Sequence, residues 1–253
     1  MRSVIILGSG RSGTSMTAGV LAGAGYFMGH KPNAGRINNP YGNFEDQEIN
    51  ALNERLLSQV IAGPELVNGV LCHGDRPRES QRWLARLPLY TAIPGIWELT
   101  PKIQELTSHE PYCFKDPRFS YTLPVWRPFL ADAIFLCIFR EPHKTVQSIL
   151  KQLKDAPHLH GLEMDAHAAL EVWCLMYRHI LEVHRHHGEW MFLHYDQIFG
   201  DAGIQRLASF TGADVAVTFP KPDLRKTYPK LAVTQAASDI YRNLSDLAQL
   251  DPI

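Results

Sequence analysis

The sequence predicts an α/β fold in which a parallel sheet of about four to five strands is flanked by helices, with a helical insertion after the first βα unit. Three observations predict it. Four short apolar runs lack the polar alternation of a half-solvated sheet. Stretches of helical periodicity separate several of those runs. The first run also passes directly into a glycine-rich turn and a helix of small apolar residues, as a βα unit requires.

Taken in order, residues 4–7 form the first buried strand, and residues 14–24 a small-residue helix suited to packing close on a sheet. Residues 26–28 are a candidate fifth strand. Residues 45–61 place Ile49, Leu52, Leu56, Leu57 and Val60 on one stripe, with Asp46, Gln47, Asn53 and Glu54 opposite. Residues 62–109 carry scattered helix signals broken by Pro and Gly, and read as an insertion over the sheet. Further strands are expected at 111–114, 133–139 and 190–194, and helices at 141–153 and 166–187. All 253 residues are assigned to one domain, a length that single α/β domains reach.

Composition narrows the function classes. Lys plus Arg is 25 and Asp plus Glu 26, so the net charge of −1 offers nothing to a nucleic-acid binder that relies on counterion release. With 45% hydrophobic and 20% charged residues, the chain is neither disordered nor fibrous. Its apolar runs are too short for a membrane span or a secretory signal. Cys72, Cys113, Cys137 and Cys174 are too dispersed for a zinc or redox motif, and a cytoplasmic setting is expected. The last three sit among apolar neighbours, as small core residues do.

Chemistry concentrates in Gly8-Ser9-Gly10-Arg11-Ser12-Gly13-Thr14-Ser15. Gly8 and Gly13 match the glycines of the Walker A pattern, but Thr14 stands where that pattern requires Lys. The expected fold is therefore P-loop NTPase-like without the residue that reaches a triphosphate's outer phosphates. Glycines let backbone N–H groups turn inward, and the helix starting near Thr14 offers its positive end to an anion. Arg11, Ser12, Thr14 and Ser15 add side-chain donors. A second anion site is expected where Arg140 ends a strand, at the sheet edge where open α/β sheets bind ligands. Pro142 then opens a helix, and Ser148 lies two turns along it.

These residues resemble the sulfotransferases that use 3′-phosphoadenosine 5′-phosphosulfate (PAPS). Four blocks carry the likeness: Arg11-Ser12-Gly13-Thr14-Ser15, Lys115-Asp116-Pro117-Arg118, Arg140-Glu141-Pro142 with Ser148, and His194-Tyr195-Asp196-Gln197. The resemblance implies that Gly10, Arg11, Ser12, Gly13, Thr14 and Ser15 bind the 5′-phosphosulfate. Arg140 and Ser148 would bind the 3′-phosphate of the donor and of its product, adenosine 3′,5′-bisphosphate. Arg11 stands where many cytosolic members carry Lys, so the match is to the carbohydrate, tyrosyl and bacterial branches. A C-terminal basic loop is represented by Lys221, Arg225 and Lys226, of which Arg225 is expected at the 3′-phosphate.

Sulfuryl transfer needs a base for the acceptor and charge stabilisation on the transferring group. Arg11 and Lys115 are the candidate stabilisers. Gly42-Asn43-Phe44-Glu45 resembles the Gly-x-x-Glu position that supplies the carboxylate base in the tyrosyl and related branches. Glu45 is the candidate base; the bland alternative is that it complements the helix dipole from the first turn. Asp46, Glu48, His73 and His109 are substitutes. Asp116 and Arg118 are expected to brace the region. His179, His184, His186 and His187 lack a metal-site pattern and read as exposed helix-end residues, so no metal is expected. Trp83, Tyr90, Trp97, Phe119, Tyr121 and Trp126 are either core or acceptor pocket. A sugar, phenol, steroid-like or lipid hydroxyl could be the acceptor. The competing readings are a P-loop nucleotide kinase or NTPase with a degenerate Walker A, and a catalytically silent nucleotide-binding protein.

Overall fold

The computed structural model describes residues 1–33, 42–68, 70–72, 74–215 and 232–250. Lys221, Arg225, Lys226 and His73 lie outside these described residues. At the centre, β1 (Val4–Leu7) runs between β4 (Cys113–Lys115) and β5 (Ile134–Phe139), and β6 (Trp190–His194) extends the sheet beyond β5. All three pairings are parallel, with Val4 opposite both Cys113 and Ile134, and Phe139 opposite His194.

The absence of polar alternation has a direct cause. Ile5, Leu7, Phe114, Phe135 and Cys137 enter one apolar cluster, while Val4, Ile6, Cys113, Ile134 and Leu136 enter another. Successive strand residues point to opposite faces, and helices cover both. On the second face lie α1 (Thr14–Gly23) and α7 (Asp201–Thr211), through Ala18, Leu21, Ile204 and Leu207. On the first lie α2 (Gln47–Leu57), α4 (Phe119–Trp126), α5 (Pro142–Asp155), α6 (Ala166–Arg178) and α8 (Gln235–Leu247). Residues Trp83, Leu84, Ile103 and Leu106 of the insertion join that same first-face cluster. Of these, Ile103 and Leu106 come from α3 (Thr100–Thr107).

Several boundaries differ from expectation. The candidate strand at 26–28 is reduced to a single bridge between Phe27 and Tyr112. The strand expected at 111–114 begins at Cys113 and includes Lys115. The insertion contains an unanticipated antiparallel hairpin of β2 (Glu65–Val67) and β3 (Val70–Cys72). Helix α2 starts at Gln47, after Glu45, because the Asp46 carboxylate accepts from the backbone N–H groups of Glu48 (2.8 Å) and Ile49 (3.1 Å) and so caps the helix. Helix α6 passes into a π-helical turn over His179–His184, where Arg185 N–H donates to Ile180 C=O at 2.9 Å.

Candidate active site

The glycine loop follows β1 and delivers the chain into α1 through Gly13, at φ 96°. Its inner side is anchored by the core. Gly8 N–H donates to the Ser120 hydroxyl at 3.4 Å, and Ser9 N–H to the Tyr177 hydroxyl at 3.3 Å. The Tyr177 hydroxyl in turn donates a hydrogen bond to Ile138 C=O at 2.8 Å, and burial raises its pKa well above the ordinary tyrosine value. A rigid turn results, with the first N–H groups of α1 lacking intrahelical acceptors. Close approach requires glycine at all three glycine positions of the loop, most tightly at Gly8, where a Cβ would lie 2.2 Å from the Ile138 carbonyl oxygen. A Cβ on Gly13 would lie 2.5 Å from the Tyr195 ring, and one on Gly10 would lie 2.5 Å from Trp83.

Two clusters flank the turn. In the first, buried Lys115 at the end of β4 donates to the Ser15 hydroxyl at 3.3 Å and is ion-paired with Glu45. The other Glu45 carboxylate oxygen accepts from Asn50 Nδ2 at 3.0 Å, and its backbone C=O accepts from Asn33 N–H at 2.7 Å. Glu45 therefore reaches across to β4, and it lies one residue before the α2 cap, not in the first turn of the helix. In the second cluster, Arg11 Nε donates to the Ser148 hydroxyl at 3.1 Å, and Ser12 shares a hydrogen bond with Thr145 at 3.4 Å. Thr145 and Ser148 are three apart on α5, so both face the loop. Arg140, which follows β5, lays its guanidinium over the Tyr195 ring, 4.3 Å from the centroid. Tyr195 thus packs against both the glycine loop and Arg140.

No family model matches the sequence, and no curated protein does. Structural similarity is found with the sulfotransferase domain from the Synechococcus PCC 7002 olefin synthase. The TM-score is 0.56 at 15% identity, covering 97% of this chain and 94% of that one. The chain has the sulfotransferase fold. Weaker matches are the sulfotransferase domain from the curacin biosynthetic pathway (TM-score 0.48, 18% identity, 94% and 83% covered) and sulfotransferase STF9 from Mycobacterium avium (0.47, 15%, 100% and 69%).

Within this sulfotransferase fold, Asp116 and Arg118 form a buried brace. Arg118 binds the Asp116 carboxylate at 3.0 Å and Glu54 at 2.6 and 2.8 Å, while Asn53 donates to Asp116 at 3.0 Å. Burial acts to lower the Arg118 pKa, and the two carboxylates overcome it, leaving it above the ordinary arginine value. Lys115 is held in place next to this brace.

The three substitutes for the base that fall among the described residues are otherwise engaged. Asp46 caps α2, and Glu48 is paired with Lys31 and Lys102, both at 2.9 Å. His109 contacts Glu105 at 3.1 Å. The histidine run needs correction. His179 and His184 are buried, not exposed, and donate from Nε2 to Leu87 C=O (3.1 Å) and Ser120 C=O (3.0 Å). Burial lowers both, His184 to about 4. Both lie at helical spacing from buried residues, His179 three after Met176 and His184 seven after Tyr177, so a regular helical wheel already turns them inward.

Of the aromatic candidates, Phe119, Tyr121 and Trp126 are core residues, while Tyr90 and Trp97 are exposed. Trp83 packs on Gly10, so the insertion reaches the glycine loop. Sequence reasoning assigned no role to Tyr195, Thr145 or Asn50. For Thr145 a signal existed, since it lies one turn before Ser148. For Tyr195 and Asn50 only the folded chain brings the partners together. Among the described residues, no helix is long and apolar enough to cross a membrane.

Proposed function

We propose that the protein transfers a sulfuryl group from PAPS to an acceptor hydroxyl. One observation carries this reading: in a chain with the sulfotransferase fold, Ser15, Lys115 and Glu45 converge beside the glycine loop, and Arg11 bridges from that loop to Ser148. The donor set suits two separate anions better than one triphosphate. Gly10 to Ser15, with the start of α1, would hold the 5′-phosphosulfate. Arg140 and Ser148 would hold the 3′-phosphate, with Arg225 assigned beside them from the sequence.

The donor supplies a sulfuryl group already activated by its linkage to phosphate, so the step asks the protein mainly for positioning and charge. Glu45 would take the acceptor's hydroxyl proton as the acceptor oxygen bonds to sulfur and the bond from sulfur to the 5′-phosphate oxygen breaks. Lys115 and Arg11 would stabilise the charge on the transferring group and the leaving phosphate. Adenosine 3′,5′-bisphosphate would depart, and no metal is assigned to the step. The Lys115–Glu45 ion pair fits this division: the ammonium orients the carboxylate before the donor arrives and turns to the sulfuryl oxygens afterwards.

The test is calorimetric titration with adenosine 3′,5′-bisphosphate, with ATP and magnesium, and with AMP. Preferential binding of the bisphosphate without metal supports the reading and justifies acceptor screening with PAPS. Preference for ATP with magnesium would assign the loop to phosphoryl transfer instead. Binding of the bisphosphate with no turnover on any acceptor would favour a silent binding protein.

A further inference from the structure

Apart from the glycine-loop residues, three side chains from two stretches, His30 and the end of α3, converge near the protein surface. His30 Nε2 lies 2.6 Å from Glu105 Oε1, and His109 Nε2 lies 3.1 Å from the same oxygen. The donor atoms of all three residues fall within 4.8 Å of one another. Phe27 packs against both imidazoles, with ring centroids 4.9 Å from His30 and 4.5 Å from His109, and the two imidazoles meet edge-on at 5.0 Å. That packing sets both ring planes so that the Nε2 atoms face one point. The second Glu105 oxygen is taken by Lys102 at 2.9 Å, which orients the carboxylate and leaves Oε1 toward the histidines.

We propose that His30, Glu105 and His109 form a binding site for a divalent transition-metal ion of the zinc type. Two imidazoles and one carboxylate oxygen form a familiar zinc donor set, leaving a fourth position for water. Zinc bonds of about 2.0–2.2 Å place tetrahedral donors roughly 3.3 Å apart, so small side-chain rotations convert the observed cluster into a coordination shell. The Lys102 ammonium opposes the added charge, and Glu48, which also binds Lys102 at 2.9 Å, offsets part of that repulsion. Imidazole donors select zinc, nickel or copper over magnesium.

The position gives the site a consequence. His30 begins the segment whose backbone pairs with the Glu45 region: Gln47 N–H donates to Lys31 C=O at 2.9 Å, Asn33 N–H to Glu45 C=O at 2.7 Å, and Pro32 bridges Asp46. A bound ion would staple this segment to the end of α3. It would thereby steady the backbone that carries Glu45, through contacts that need neither donor nor acceptor.

The experiment is titration of the full chain with zinc chloride, with magnesium chloride as control, on wild type, His30→Ala, His109→Ala and Glu105→Gln. Saturable zinc binding at one ion per chain is expected, weakened by at least about tenfold in each variant. Absence of saturable binding overturns the site, as does affinity unchanged in the two histidine variants, which would assign the zinc to other histidines. Circular dichroism of the variants without metal checks that these largely exposed changes leave the fold intact. Zinc should also slow amide hydrogen exchange at residues 31–33 and 45–47; unchanged exchange alongside specific binding would remove the stapling role. None of these readouts depends on sulfuryl transfer.

Discussion

Arg11 and Ser148 are 137 positions apart in the chain, and the Arg11 Nε donates to the Ser148 hydroxyl at 3.1 Å. The bond ties the glycine loop after β1 to the second turn of α5, and so couples the two regions assigned to the two ends of one nucleotide. Residues that share a hydrogen bond at a site do not act additively. In a double-mutant cycle of Arg11→Ala and Ser148→Ala, bisphosphate binding should show a coupling energy above about 0.5 kcal/mol. Strict additivity in calorimetry would mean that the bond contributes nothing to the site.

Arg140 tests the 3′-phosphate assignment. Arg140→Ala should weaken binding of adenosine 3′,5′-bisphosphate by about 1.5–3 kcal/mol for each charge-assisted hydrogen bond lost. Binding of AMP, which lacks that phosphate, should scarcely change. Equal losses for both nucleotides would remove the reason for placing Arg140 there.

Glu45→Gln should lower kcat by about 10²–10⁴ while donor binding survives. The substitution also removes the carboxylate that pairs with buried Lys115, so the unliganded variant should melt at a lower temperature than wild type. Glu45→Asp should keep the charge for Lys115 and recover the melting temperature more than the rate, because the shortened carboxylate no longer reaches as far. Unchanged turnover in the glutamine variant would sink the base assignment.

Gly13→Ala probes the contact with Tyr195. The residue has φ 96°, and the added Cβ would come within 2.5 Å of the ring. A backbone penalty on the order of 1 kcal/mol is joined by displacement of the ring on which Arg140 rests. Both thermal stability and bisphosphate affinity should fall, whereas Gly23→Ala, in open space on α1, should reduce neither. A fall in stability without any loss of affinity would show that Tyr195 does not support the nucleotide site.

The buried histidines set an acid limit on stability. His184 is held neutral, with its pKa lowered by burial to about 4 from an ordinary 6.5. Between these values the unfolded chain binds a proton that the folded chain refuses, so stability rises with pH there. Stability is fully present above about pH 6.5 and is lost as pH falls toward 4, by on the order of 3 kcal/mol for this residue. His179 is shifted in the same direction. Urea unfolding of wild type between pH 7.5 and 5 should show the decline, and His184→Gln should flatten it. An equally steep decline in the variant would assign the acid sensitivity elsewhere.

Legibility from sequence followed the range of the interactions. The four strands of the central sheet and helices α1, α2, α5 and α6 are visible because their apolar patterns are local consequences of burial on one or both faces. Helix α4 was not anticipated: its sequence, with Pro124 inside it, is buried on nearly every side and so shows no amphipathic period. Helices α7 and α8 were likewise not anticipated, although α8 presents a regular apolar stripe against the core. The inward positions of His179 and His184 follow helical spacing from buried Met176 and Tyr177, so their burial was legible in the periodicity although the run reads as exposed by composition.

The same division runs through the site. The residue types and their order already specify an α/β chain with a glycine-rich turn after β1 and a strand-end Arg140, because the glycine spacing and helix start act within a few residues. Which groups meet was decided only by the tertiary structure. The end of β4 brings Lys115 to both Ser15 and Glu45, and the turn after β6 packs Tyr195 against both Gly13 and Arg140. These contacts join residues tens to more than a hundred positions apart. Their distances are set by sheet order and helix packing, which no local stretch of sequence encodes.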